Sequence, residues 1–184
     1  MAGNSQNVKH GPGWLYFAPV SFDETKITGP TVDLGTITDL VSVGYTEEGS
    51  TFSAAPKFDD VEVAEEIDPI DVVASGREMS VGFDCAEVTA SNISKAFNGG
   101  TIVNAAGSVT FEPPASDDAP IHTAIVWQSF KKDEIWIYRD CVQTGTMKMD
   151  RRKGANKTTV PLEFRVLKPA NKKKPFKAFL SVPA

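Results

Sequence analysis

A chain of 184 residues, 41% hydrophobic and 23% charged, is long enough for one globular domain and too apolar to be disordered. Its net charge, 19 − 24 = −5, argues against a protein that coats DNA or RNA. No apolar run approaches the roughly 20 residues a membrane helix needs.

The opening, MAGNSQNVKHGPG, lacks the apolar centre of a signal peptide, which points to folding in a cytoplasm. Cys85 and Cys141 fit that compartment as reduced, unbridged thiols. Residues 1–13 are polar and glycine-rich and read as a mobile arm. Trp14–Phe17 is a first strand, stopped by Pro19. Residues 21–40 read as loop, with a turn at Gly29-Pro30. A connection this long needs something to order it, and a neighbouring subunit is the expected source. Next, Val41, Val43 and Tyr45 alternate, Glu48-Gly49 reads as a turn, and Phe52 returns. Lys57–Ile67 carries a further alternation, with Val61 and Val63 on one face and Asp60 and Glu62 on the other. Pro69 breaks it, and Ile70, Val72 and Val73 form a short apolar run.

The stretch Gly76–Gly100 changes period midway. Met79, Val81, Phe83 and Cys85 alternate with polar residues, as in a strand with one face on a core. Thr89 or Ser91 then caps a helix of about two turns, with Ile93, Ala96 and Phe97 on one side and Gly99 at its end. A short strand is expected at Ser108–Phe111, then a loop through Pro120. Ile121–Phe130 and Glu134–Val142 form a hairpin whose strands are apolar on both faces, so both faces must be covered. One cover is the core; the helix, an arm or another subunit is expected on the other side. Gln143–Arg152 alternates Met147 and Met149 with Lys148 and Asp150, Thr158–Leu167 is a strand with Pro161 at an edge or bulge, and Phe176–Val182 is the last strand. The sum is an all-β chain of about ten strands with one short α-helix.

Chemistry is sparse. His10 and His122 stand apart from any metal-ligand spacing, and no phosphate loop, nucleophile elbow or Ser-His-Asp set can be assembled. Neither catalysis nor a cofactor is expected. The sharpest electrostatic feature is acidic: Asp59, Asp60, Glu62, Glu65, Glu66, Asp68 and Asp71 fall within one short stretch. Arg151, Arg152, Lys153 and the run Lys172–Lys174 are its basic counterparts, without the interleaved aromatics of a nucleic-acid platform.

The order of these features resembles the major tail protein of long, non-contractile-tailed bacteriophages. The matching segments are GPGWLYFAP, VSVGYTEEGSTFS, the acidic strand, MSVGFDCAEVTASNISKAF and TTVPLEFRVLKP, spread over residues 11–182. The resemblance implies a single domain over 1–184, a two-sheet antiparallel β-sandwich or barrel with long arm and loops. It also implies hexameric rings stacked into a tail tube in the virion, assembled in the host cytoplasm. The implied partners are other copies of itself, the tape-measure protein, and the tail terminator and distal tail proteins, with DNA passing unbound. On that reading Asp59, Asp60, Glu62, Glu65 and Glu66 face the lumen, or meet Arg151, Arg152 and Lys153 at the junction between rings. Type VI secretion tubes share the fold, so a secretion-system tube protein is one alternative. A monomeric β-sandwich binding module is another, for which Trp127, Trp136 and Tyr138 would line an exposed groove.

Overall fold

The computed structural model describes residues 11–151, 157–171 and 173–181. The chain is all-β with one helix: an eight-stranded antiparallel sheet and a separate two-stranded one, consistent with a sandwich or barrel. Strands β1 (Gly13–Ala18), β7 (Thr123–Ser129), β8 (Glu134–Gln143), β9 (Val160–Val166) and β4 (Asp71–Cys85) lie side by side in that order. The short β2 (Val41–Ser42) flanks β1, and β3 (Thr46–Val61) flanks β4.

The sheet curls until its ends meet. Phe17 on β1 and Phe83 on β4 are four strand spacings apart, about 19 Å if the sheet were flat. Their ring centroids are 6.1 Å apart, and Phe17 lies 5.7 Å from Phe164 on β9. The chain between β2 and β3 closes the seam. Val43 N–H donates to the Leu15 carbonyl at 2.9 Å, and Ala86 N–H donates to the Tyr45 carbonyl at 2.8 Å. One core fills the interior, built from Leu15, Val81, Cys85, Ile125, Leu162 and Phe164 among others. The helix α1 (Ala90–Ala96) closes one end, with Ile93 and Ala96 against that core. Thr89 is its cap, its hydroxyl accepting from Asn92 N–H.

Both faces of the β7/β8 hairpin are covered, as their two-sided apolarity requires. The second cover is the chain's own loop 21–40, so no neighbouring subunit is needed to order it. One local device serves twice there. Asp23 and Asp33 each cap a single 3-10 turn by accepting from a backbone N–H two residues on. Each turn ends on an isoleucine, Ile27 and Ile37, which is buried with Leu34 against Val126, Ile135 and Ile137. Gln128, 1% exposed, fastens the loop by donating to the carbonyls of Pro30 and Val32.

β8 changes partner along its length. Its C-terminal end pairs with β9 and its N-terminal half with β10 (Phe176–Leu180). The chain leaves β8 at Leu167, whose N–H donates to the Asp140 carbonyl. It re-enters at Pro175, whose carbonyl accepts from Arg139 N–H. Arg139 also grips Glu24 of the covering loop at 2.7 Å, and Lys173 reaches the same carboxylate at 2.8 Å.

Four expectations are corrected. Glu48-Gly49 is not a turn: β3 runs straight through, and these residues form an irregular bulge with Gly49 at φ +87°. The run Ile70–Val73 belongs to a single strand reaching Cys85, apart from Ile70 itself, which lies just outside it. Gln143–Arg152 holds no strand beyond Gln143 among the described residues. Met147 and Met149 alternate because they pack on the core, not because they pair. Ser108–Glu112 (β6) has a partner that the sequence reading missed, β5 (Thr101–Ala105), and the two form the small sheet. Pro161 fits its edge reading in part: β9 pairs with β8 only from Phe164 onward. The expected arm lies outside the described residues except for 11–13, where Gly13 already opens β1.

Candidate assembly surface

The β3/β4 hairpin, with strands of 16 and 15 residues, is far longer than the β7/β8 hairpin, with 7 and 10. Its base, Phe52 opposite Val81 and Ser50 opposite Phe83, belongs to the barrel. From Ser53 to Val61 and back from Asp71 to Glu78, almost every residue is exposed. The outer ribbon still keeps the sidedness of the base. On β3 the core-facing residue Phe52 is followed on the same face by Ala54, Pro56, Phe58 and Asp60. On β4 the core-facing series Val81, Met79, Arg77 would continue to Ser75 and Val73. It does not, because Ser75 has no partner: Lys57 sits opposite Gly76 and Phe58 opposite Ala74. That bulge shifts the phase by one residue and brings Ala74 and Val72 onto the core-facing side. Phe58 is 57% exposed and Val72 55%. The face that seals the core therefore runs on, exposed and mostly apolar, beyond the body, with Arg77 and Asp60 as its charged members.

The hairpin end is acidic. Asp59 and Asp60 lie on opposite faces of β3, while Glu62, Glu65 and Glu66 lie beyond it in the connection to β4. Val63 and Glu62 are thus not strand residues, and Val61 shares its face with Asp59. The connection is held by Ile70 N–H to the Val61 carbonyl and Glu66 N–H to the Val63 carbonyl. Asp71 accepts from Val72 N–H. Closer to the body, Lys57 and Arg165 meet Glu78 at 2.6 and 3.6 Å, and the Lys57 hydrogen bond holds the Glu78 carboxyl below its ordinary range. Charge is divided unevenly. Residues 59–71 carry seven carboxylates and no lysine or arginine, −7, leaving 19 − 17 = +2 for the rest of the chain.

Arg151 is exposed in the segment after β8, and no ion pair among the described residues joins it to the acidic set. Arg152 and Lys153 lie outside the described residues, as does Lys172. Among the described residues, Arg151 is not brought to the acidic set.

Elsewhere the surface offers little chemistry. A concavity of about 620 Å³ lies on the outer face of the hairpin base and is lined by Glu48, Ser53, Ser80, Asp84 and Glu163 among others. His122 Nδ1 lies 2.6 Å from Asp140 Oδ1, an arrangement the sequence did not suggest. No group of three or more His, Cys, Asp or Glu among the described residues could hold a metal ion. Both thiols are buried and unbridged. Burial pushes Cys85 up to about 12, with Asp84 and Glu87 adding to the shift. Trp127 and Trp136 are half-buried and Tyr138 is buried, beside a small slot. No described helix is long and apolar enough to cross a membrane. No family model matches this chain, and a search of curated proteins finds no relative.

Proposed function

We propose that this chain is a self-assembling structural subunit that closes into rings and stacks into a tube. The setting that fits its sequence best is the tail tube of a long-tailed bacteriophage. The observation that carries the reading is the uncovered apolar ribbon of Ala54, Pro56, Phe58, Val72 and Ala74. Burying Phe58 and Val72 on a neighbour contributes roughly 1.5–3 kcal/mol each. β3 is also the outermost strand of its sheet, so its free backbone edge is a template for another chain. A hairpin that docks on a different surface of the next copy makes a head-to-tail contact, and such contacts close into rings when the rotation permits.

The charge division gives two placements for the acidic end. In a lumen, Asp59, Asp60, Glu62, Glu65 and Glu66 repel phosphate and let DNA pass without the counterion-release affinity of a basic wall. At a junction between rings they face the basic remainder of the next copy, including Arg151. A tape-measure protein inside the tube and terminator and distal proteins at its ends complete the proposal, which places the protein in the virion.

Sedimentation velocity at rising concentration, with negative-stain microscopy, tests this. The wild-type chain forms rings or tubes, while Phe58→Asp with Val72→Asp stays monomeric and folded. A wild-type chain that is monomeric at every concentration overturns the proposal and leaves a binding module. Lysine at Asp60 and Glu62 separates the two placements: stacking fails if they lie at the junction and survives if they line the lumen.

A further inference from the structure

Trp127 on β7 stands directly opposite Trp136 on β8, and each indole packs on a different neighbour. Trp127 leans over β1, where Gly13 leaves room for it. A Cβ at Gly13 would lie 2.5 Å from both Cε2 and Nε1 of the indole. Trp136 leans the other way, stacked on Phe176 of β10 at 5.6 Å and tilted against Phe52 at 5.8 Å. Beside them is a slot of about 160 Å³, lined by Phe52, Val81, Trp127, Glu134, Trp136 and Tyr138, with Ser50 and Thr51 at its edge.

The polarity of the slot is one-sided. Aromatic faces present negative π-density. The only charged group in the lining is Glu134, whose Oε2 accepts from Trp136 Nε1–H at 3.1 Å. No lysine or arginine among the described residues forms an ion pair with that carboxylate. Burial makes the Tyr138 hydroxyl harder to ionise, so the floor of the slot carries no charge of its own. A flat sugar fits less well. Trp136 is stacked on Phe176, and its one N–H is already committed to Glu134.

We propose that this slot binds an organic cation of the alkylammonium class, either free or at the end of a basic side chain. The indoles of Trp127 and Trp136 embrace its apolar flank and Glu134 meets its charge. Two ring contacts and one carboxylate correspond to an affinity of about millimolar. The site needs one chain only and stands apart from the question of assembly.

Tryptophan emission of the full chain reads the slot directly, because Trp14, packed on Phe130 at 4.6 Å, lies outside the lining and gives a constant background. Choline, its uncharged isostere 3,3-dimethyl-1-butanol, N-acetyl-lysine methylamide and glucose are titrated in low salt. The expected result is saturable quenching by choline and none by the isostere. Glu134→Gln weakens choline binding about ten-fold while the thermal melt stays unchanged. Should that variant fold poorly, Trp127→Phe serves, with a weakening of a few-fold. Quenching by the lysine derivative as strong as by choline assigns the slot to a basic side chain; quenching by choline alone assigns it to a free quaternary ammonium. Equal response to choline and the isostere, response to glucose alone, no saturable response, or unchanged binding by Glu134→Gln overturns the proposal.

Discussion

Two hairpins in this molecule carry rows of large apolar side chains and end in opposite surroundings. β7/β8 is apolar on both faces, whereas β3/β4 is apolar mainly on the face that continues from the core. In β7/β8 both faces are sealed, one by the curled barrel and one by the loop carrying Ile27, Leu34 and Ile37. In β3/β4 only the base is sealed, and the outer half leaves Phe58, Val72 and Val73 in solvent. Alternation reports that a segment is a strand. Whether it is buried depends on what the rest of the chain brings to it, and among the described residues a covering loop reaches one hairpin and not the outer half of the other.

The sharpest way to break the comparison is to remove a contact beneath the cover. Ile137, 1% exposed under the loop, costs about 2–5 kcal/mol when cut to alanine, read as a lower denaturant midpoint with an unchanged slope. Val72→Ala in the outer ribbon shifts that midpoint by less than about 0.5 kcal/mol.

The next effect unfastens the cover. Glu24→Gln removes the carboxylate that holds Arg139 and Lys173, at about 2 kcal/mol, between the values for exposed and buried pairs. Burial alone would raise the Glu24 carboxyl, but the hydrogen bonds and charges of Arg139 and Lys173 outweigh it and hold the group below its ordinary 4.5. A carboxyl lowered on folding binds fewer protons in the folded chain than in the unfolded one. Its stabilisation is complete above the unfolded value and is lost as pH falls through the folded one. Thermal melts of the wild type therefore decline below about pH 4.5, and Glu24→Gln flattens that part of the profile.

A smaller effect marks where the second hairpin enters the core. Cys85→Ala costs about 1 kcal/mol in denaturant titration, since a 0% exposed thiol leaves a small cavity. With its pKa pushed up to about 12, Cys85 in the native chain reacts slowly with iodoacetamide at pH 8 and readily once unfolded.

The smallest effect on folding carries the largest effect on association. Phe58→Asp leaves the melting temperature within about a degree, because the residue is already 57% exposed. In sedimentation the expected outcome is loss of the concentration-dependent species that the proposed assembly requires of the wild type.

Much of this fold was legible because local chemistry was decisive. Thr89 is a cap wherever an apolar helical stripe follows it, and Met79 to Cys85 faces a core in any two-layer arrangement. The two-faced apolarity of β7 and β8 demanded two covers. What could not be read was set by tertiary context. Glu48-Gly49 offers a left-handed glycine that serves a turn or a bulge equally well, and a strand of 16 residues is far beyond the usual five or six. The β5 strand, Thr101–Ala105, is exposed throughout, so no buried face imposed a clear alternation on it. The loop 21–40 reads as polar punctuation, and its three buried apolar residues are too widely spaced to announce a cover. The acidic set was visible as charge. Its division between two strand faces and a connection was not, because one unpaired serine decides what lies opposite it.

That serine separates two kinds of genetic change. A substitution in the outer ribbon alters a single side chain and leaves its neighbours facing as before. Loss of Ser75 would change no facing, because the pairing already skips it and Phe58 would stay opposite Ala74. One residue added between Lys57 and Phe58 would instead give Ser75 a partner and turn the ribbon beyond it over, so that Val61 and Val73 replace Phe58, Val72 and Ala74 on the core-facing side. One added codon would thus exchange the apolar face of the projection while sparing the barrel. Lineages of this chain would then vary freely by point mutation in the ribbon but hold the spacing between Pro56 and Phe58 fixed.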